Sequence, residues 1–301
     1  MHTIEIPAKK ITIHIPETVA EFTSEQYLEY CKLVMQWKSG DISYFDLRLK
    51  LLYFLMGIES KTKKHTPLEN EDKYSQIYQL SLLCDAFFPE EKVKGKKVRG
   101  LDFNYIDNKL PYFTHKGKTY IGPADAFTNL TFGEHLAAAP LFEDFTKTKN
   151  EDSLNQLVAI LYREEKPKTK ENITCGFDGD KRLPYYPATV EARTSALKDL
   201  PMHYKFAVYS YFGAVSSFIT NATEVPVLGK TCDFTPLFKG KESTSENIGR
   251  LEVLFALSKT KVFGSKQETE KELYWNVLLE LLSNHLEAER IKQNQLNDPN
   301  K

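Results

Sequence analysis

The most metal-like string in the chain is Phe177-Asp178-Gly179-Asp180-Lys181, where two carboxylates flank a glycine and could face a hard cation. A calcium loop needs further ligands and a closing bidentate Glu, which this run lacks. Asp-Gly pairs are ordinary turn formers, so a turn is expected here, with no metal and no cofactor. Glu134-His135 matches the start of a zinc-protease helix, but the position four residues after His135 is Ala139 instead of a second histidine. His14, His65, His115, His203 and His285 show no spacing that pairs a nucleophile with a base. No G-x-S-x-G, Walker lysine loop or G-x-G-x-x-G occurs. No catalytic residue is assigned on these grounds. Catalysis would need Asp and Glu side chains that converge only in space, as in an enzyme of nucleic-acid processing.

Two further groups could bind instead of react. Lys92, Lys94, Lys96, Lys97 and Arg99 stand near Phe103, Tyr105, Tyr112 and Phe113, a mixture able to hold phosphates and stack bases. Yet 40 basic and 41 acidic residues leave a net charge of -1, which gives no long-range field for drawing in a polyanion. The cluster therefore reads as the solvated face of a hairpin, and nucleic acid is not the expected partner. Near the C-terminus, Leu273, Trp275, Val277, Leu278, Leu281, Leu282 and Leu286 form an apolar band, followed by the charged Glu287, Glu289, Arg290 and Lys292. The first part of the band suits a core. Leu282, Leu286 and Arg290 are the candidate contacts to a partner chain, the plainer reading being a solvated helix end.

The elements that must position these residues are mostly helical. Thr3–Pro7 and Lys10–Ile15 alternate as a small hairpin. Thr23 and Gln26 have capping-box spacing before a helix that Gly40 stops. A second helix from Ser43 carries Phe45, Leu49, Leu52, Tyr53 and Met56 inward, and a third spans 71–87 before Pro89. Residues 59–70 form an exposed loop. Tyr112–Ile121 reads as a hairpin turning at Lys116-Gly117. Thr131 and Glu134 suggest another capping box, in a helix that Pro140 kinks or splits. Further helices are expected at 151–163, 188–199, 202–221, 246–258 and 269–293. The charged run from Glu164 opens a long loop, exposed and open to contact, that ends near Tyr186. The fold expected is mainly α, a multi-helix array with one or two small β-hairpins, organised as 1–90 (hairpin plus helical unit), 91–125 (small β-hairpin insertion) and 126–301 (C-terminal helical domain).

Cys31, Cys84, Cys175 and Cys232 stand far apart and read as reduced, buried thiols. The start Met1-His2-Thr3-Ile4-Glu5-Ile6-Pro7 lacks the basic and apolar regions of an export signal. Met202–Ile219 is too polar for a membrane span and reads as a buried helix, so no membrane partner is expected.

Five strings carry a family likeness: Ile15-Pro16-Glu17 with Phe22–Tyr27, Leu130-Thr131-Phe132-Gly133-Glu134, Leu157–Arg163, and Gly179-Asp180-Lys181-Arg182-Leu183-Pro184. Together they resemble uncharacterised proteins encoded among the tail genes of phages and prophages of Bacteroidetes-type bacteria, over most of the chain. The resemblance implies a non-enzymatic virion component or tail-assembly factor, chaperone-like, that binds other phage tail or virion proteins and shields the tape-measure protein before the tube closes. It implies a place in the host bacterial cytoplasm or the virion, and a homo-oligomer fits the same role. The competing readings are a phage-encoded enzyme with clustered carboxylates and an unrelated helical binding protein.

Overall fold

A computed structural model of the chain describes residues 1–6, 11–58, 71–93, 95–167, 179–221, 223–227, 230–238 and 246–296. The expected loop at 59–70, and His65, Lys94, Cys175 and Asp178, lie outside the described residues, as does the stretch 168–178 of the loop that opens at Glu164. Within them the chain is mainly helical with small antiparallel sheets, the expected class. It divides into two compact units, 1–110 with 200–211, and 111–199 with 212–301. The segment expected as one insertion, 91–125, thus contributes to both.

In the first unit, β1 (His2–Ile6) and β2 (Ile11–Ile15) pair with His2 opposite Ile15. Helix α1 (Ser24–Ser39) begins at the capping box read from the sequence: Thr23 accepts from the Gln26 amide and Gln26 accepts from the Thr23 amide. Gly40, at φ 85°, takes the left-handed conformation that stops it. A second box, Ser43 with Asp46, opens α2 (Tyr44–Leu55). The buried stripe of α2 is Leu47, Arg48, Leu51, Leu52 and Leu55, while Phe45 is 44% exposed. The expected inward set was rotated from this because a charged residue, Arg48, occupies the buried face. Helix α3 (Glu71–Ser81) tightens into a 3-10 turn at Leu82–Phe87, and β3 (Glu90–Val93) pairs with β4 (Lys96–Arg99). The core is aromatic. Phe22 packs edge-on against Phe87 and Tyr30, and the buried Tyr27 hydroxyl donates to the Ala207 carbonyl at 3.0 Å and lies 2.8 Å from the Tyr105 hydroxyl.

In the second unit, β5 (Tyr112–His115) and β6 (Lys118–Ile121) form the expected hairpin. Lys116 and Gly117 both have positive φ, 50° and 76°, as its two-residue turn requires. A third strand that the sequence did not suggest, β7 (Arg163–Glu164), pairs with β6 at residues expected to begin a loop. Helix α4 (Phe132–Thr148) runs through Pro140 without dividing, so of the expected kink or split the split does not occur. Helix α5 (Glu151–Leu161) is buried on nearly every side, including Ser153 and Asn155, so it is the centre of this unit and not the one-faced helix expected. Helix α6 (Val190–Leu197) packs on α5. Helix α7 (Met202–Asn221) contributes its first ten residues to the first unit and the rest to the second. The hairpin β8 (Val225–Val227) and β9 (Lys230–Cys232) and helix α8 (Glu246–Thr260) follow.

The helix expected over 269–293 is broken in two, α9 (Lys266–Lys271) and α10 (Tyr274–Leu296). The cause is a backbone exchange. The Phe132 amide donates to the Glu272 carbonyl and the Tyr274 amide to the Leu130 carbonyl, both at 2.8 Å, which holds Glu272 extended at ψ 149°. Among the described residues no helix is long and apolar enough to cross a membrane.

Candidate functional site

The largest fully buried polar side chains are Arg163 and Arg182, 1% and 0% exposed, and both belong to the second unit. An isolated buried guanidinium is prohibitive, so each must be paired. Arg163 stands where α5 passes into β7, and its Nη1 reaches Glu134 Oε1 at 2.7 Å. Its Nε donates to the Leu183 carbonyl at 2.6 Å and its Nη1 to the Ile160 carbonyl at 3.1 Å. Arg182 forks onto Asp180, Nε lying 2.9 and 3.0 Å from the two carboxylate oxygens and Nη2 2.8 Å from Oδ2. It also donates to the Leu161 carbonyl at 3.2 Å and the Asn129 carbonyl at 2.8 Å. Glu134 Oε2 is 3.3 Å from Arg182 Nη1, in ion-pair range but poorly angled for a hydrogen bond. A 3.5 Å contact from Arg163 Nη2 to Asp180 closes the quartet.

Local structure explains the placement. Thr131 caps α4 by accepting from the Glu134 amide at 3.2 Å, but the Glu134 carboxylate, expected to complete a capping box, turns inward to the two arginines. Asp180 accepts from the Arg182 amide as well as from its side chain. Lys166 and Leu183 amides bond across to Lys181 and Glu164 carbonyls, which joins the two described ends of the loop. Burial and the neighbouring Arg182 push the Arg163 guanidinium down to about 10, against the pull of Glu134 and Asp180. Arg182 is raised: burial opposes its charge, but Glu134 and Asp180 outweigh it.

Two positive and two negative groups leave this cluster formally neutral. Its hydrogen bonds go to four carbonyls on three separate segments, so its chemistry is that of a clasp. The sequence strings that carry the family likeness end on Glu134 and Arg163 and contain Asp180 and Arg182. Spacing could not have joined them, since Glu134 lies 29 positions from Arg163 and 48 from Arg182, and Arg163 lies 17 from Asp180.

The first unit holds a related arrangement. Asp85 accepts from the Tyr44 hydroxyl at 2.6 Å and from Arg48 at 3.1 Å, and Arg99 bridges toward it at 3.8 Å while pairing with Glu90 at 3.2 Å. Both guanidiniums lie 5.3 Å from the centre of the Tyr44 ring. Burial and the adjacent Asp85 push the Tyr44 hydroxyl well up. Arg99, expected in a phosphate-competent basic cluster, is therefore committed internally, and Lys97 pairs with Glu90. Phe113 and Tyr105 are buried, leaving Tyr112 exposed.

The other candidates are not gathered. Asp180 is engaged by Arg182, its neighbour in the candidate loop Asp178 lies outside the described residues, and among the described residues no three His, Cys, Asp or Glu side chains could hold a metal together. His115 contacts the exposed Asp199 at 3.2 Å beside Lys116, whereas His203 lies in the other unit and is half-buried. Cys31 and Cys84 are buried free thiols and Cys232 is half-buried. On α10, Leu282 is 6% exposed and so is core, not a contact surface. Leu286, 57% exposed, and Arg290 project outward.

The chain matches no protein-family model, and neither a curated protein nor a solved structure shows significant similarity to it.

Proposed function

We propose that this chain is a non-enzymatic phage tail-assembly protein that works by binding other tail or virion proteins. The observation that carries the reading is α10: its last buried residue is Leu282, yet the helix continues to Leu296, with Leu286 and Ile291 exposed at 57% and 48%. A helix that outruns its own core by more than three turns offers a rod of backbone already ordered, so a partner need not supply the entropy of folding it. Paired charges along it, Glu287 with Arg290 and Glu289 with Lys292, keep the rod stable in water. The resemblance to tail-gene proteins supplies the class of partner.

The test is co-purification of the tagged chain with the products of its neighbouring tail genes. Recovery of a tail or tape-measure protein by the wild type, reduced in a folded variant carrying Leu286→Asp and Arg290→Glu, supports the proposal. Failure to recover any virion protein removes the class, and equal recovery by the variant removes this helix from the interface.

A further inference from the structure

In the first unit α1, α2 and α7 enclose an open cavity of about 300 Å³ lined by Glu25, Leu28, Glu29, Phe54, His203 and Tyr204. Glu25 and Glu29 stand one turn apart on the same face of α1, with Leu28 between them. Phe54 comes from the last turn of α2 and is 40% exposed. His203 and Tyr204, their rings 4.8 Å apart, come from the start of α7.

The cavity lining carries two carboxylates, Glu25 and Glu29. Glu29 is taken by Lys32, at 2.9 and 3.1 Å, but among the described residues no side chain pairs with Glu25. Burial and the nearby Lys32 hold His203 below its ordinary value, so it adds no compensating positive charge near neutrality. A carboxylate without a side-chain partner, Glu25, in a lining shared with Phe54 and Tyr204 suits a cation on an apolar stem, for which ion pairing and aromatic contact are both within one cavity. The volume fits one or two side chains and not a helix.

We propose that the cavity lined by Glu25, Glu29, Phe54 and Tyr204 receives a lysine or arginine side chain of a partner protein. A cation would seat here whichever protein carries it, so the test does not depend on the tail-assembly partner. The full chain is titrated with N-acetyl-arginine amide and N-acetyl-lysine amide while the amide resonances are followed by NMR. N-acetyl-citrulline amide, close to arginine in shape but uncharged, is the control.

Saturable shifts at residues 25–29, 54 and 203–204 with the two cations, and binding about tenfold weaker with citrulline, are expected. Glu25→Gln combined with Glu29→Gln should weaken the cations by about the same factor, and Phe54→Ser should weaken them separately. These side chains are at least partly solvated, and circular dichroism confirms the fold of each variant. Equal affinity for citrulline, no saturable shift, or cation binding indifferent to the carboxylates would overturn the proposal. So would movement of the same resonances on raising protein concentration alone, which would seat a second copy there.

Discussion

Glu134 and Arg163 meet at 2.7 Å with each side chain only 1% exposed, so neither charge has water to fall back on. Breaking one partner of such a pair leaves a buried charge uncompensated, at about 3–5 kcal/mol. Glu134→Ala should therefore lower the stability of the chain by about that amount in urea denaturation. Glu134→Ala combined with Arg163→Met should recover part of the loss, because the orphaned guanidinium is gone. An additive double variant would show that the two groups are not coupled.

Gly122 is a second sharp test. A methyl group at this position would meet the Tyr162 ring at 2.5 Å, and that ring is fully buried and stacked on Phe113 with centroids 5.2 Å apart. Gly122→Ala should cost about 1–3 kcal/mol through overpacking. A thermal midpoint equal to that of the wild type would mean that the ring can withdraw.

On α10 the boundary between core and projection predicts a step. Leu282→Ala should cost about 2–5 kcal/mol and Leu286→Ala less than about 0.5 kcal/mol, although the two residues are one turn apart. Comparable losses in chemical denaturation would place Leu286 in the core and take the contact surface away.

Asp199 offers a pH signature. Lys116, at 2.7 Å, and His115 hold its carboxyl down to about 2 from the ordinary 3.8. A depressed carboxylate contributes stability that is full above the unfolded value, near 3.8, and is lost as pH falls toward 2. An NMR titration of the carboxyl carbon should show the low midpoint in the wild type and a rise toward the ordinary value in Lys116→Met. An unchanged midpoint would rule out the lysine as its cause.

The thiols should differ in access. Burial pushes Cys84 up to about 12 and Cys31 higher still, while Cys232 is half-buried. A thiol reagent followed by peptide mass mapping should modify Cys232 in the native protein, and Cys31 and Cys84 only after denaturation. Early labelling of Cys31 would contradict its burial.

Local signals in the sequence were informative wherever the physics is local. The Thr23–Gln26 box, the Gly40 stop and the Lys116-Gly117 turn each depend on a few neighbouring residues, and each is present in the structure. What could not be read depends on distant partners. Arg48 looks like a surface residue until Asp85 arrives to neutralise it, so the buried face of α2 was misplaced. Glu134 has the spacing of a capping residue, but two arginines from later in the chain take its carboxylate. The break at Glu272 has no proline or glycine to announce it, because it is imposed by the backbone at Leu130 and Phe132. The candidate cavity escaped for the same reason, its walls coming from α1, α2 and a helix some 180 positions further on.

The division of the chain also bears on how it is made. The first unit takes residues 1–110 and then 200–211, so its final piece leaves the ribosome only after nearly ninety intervening residues. At roughly 5–20 residues per second the N-terminal segment waits about 5–20 seconds without Ala207, whose carbonyl receives the Tyr27 hydroxyl. During that interval the aromatic side chains around Tyr27 and Tyr105 lack part of their cover, a target for the chaperones that attend nascent chains. A gene truncated after residue 110 would leave its product in that state permanently, and the remedy would be to supply 200–211 on the same polypeptide.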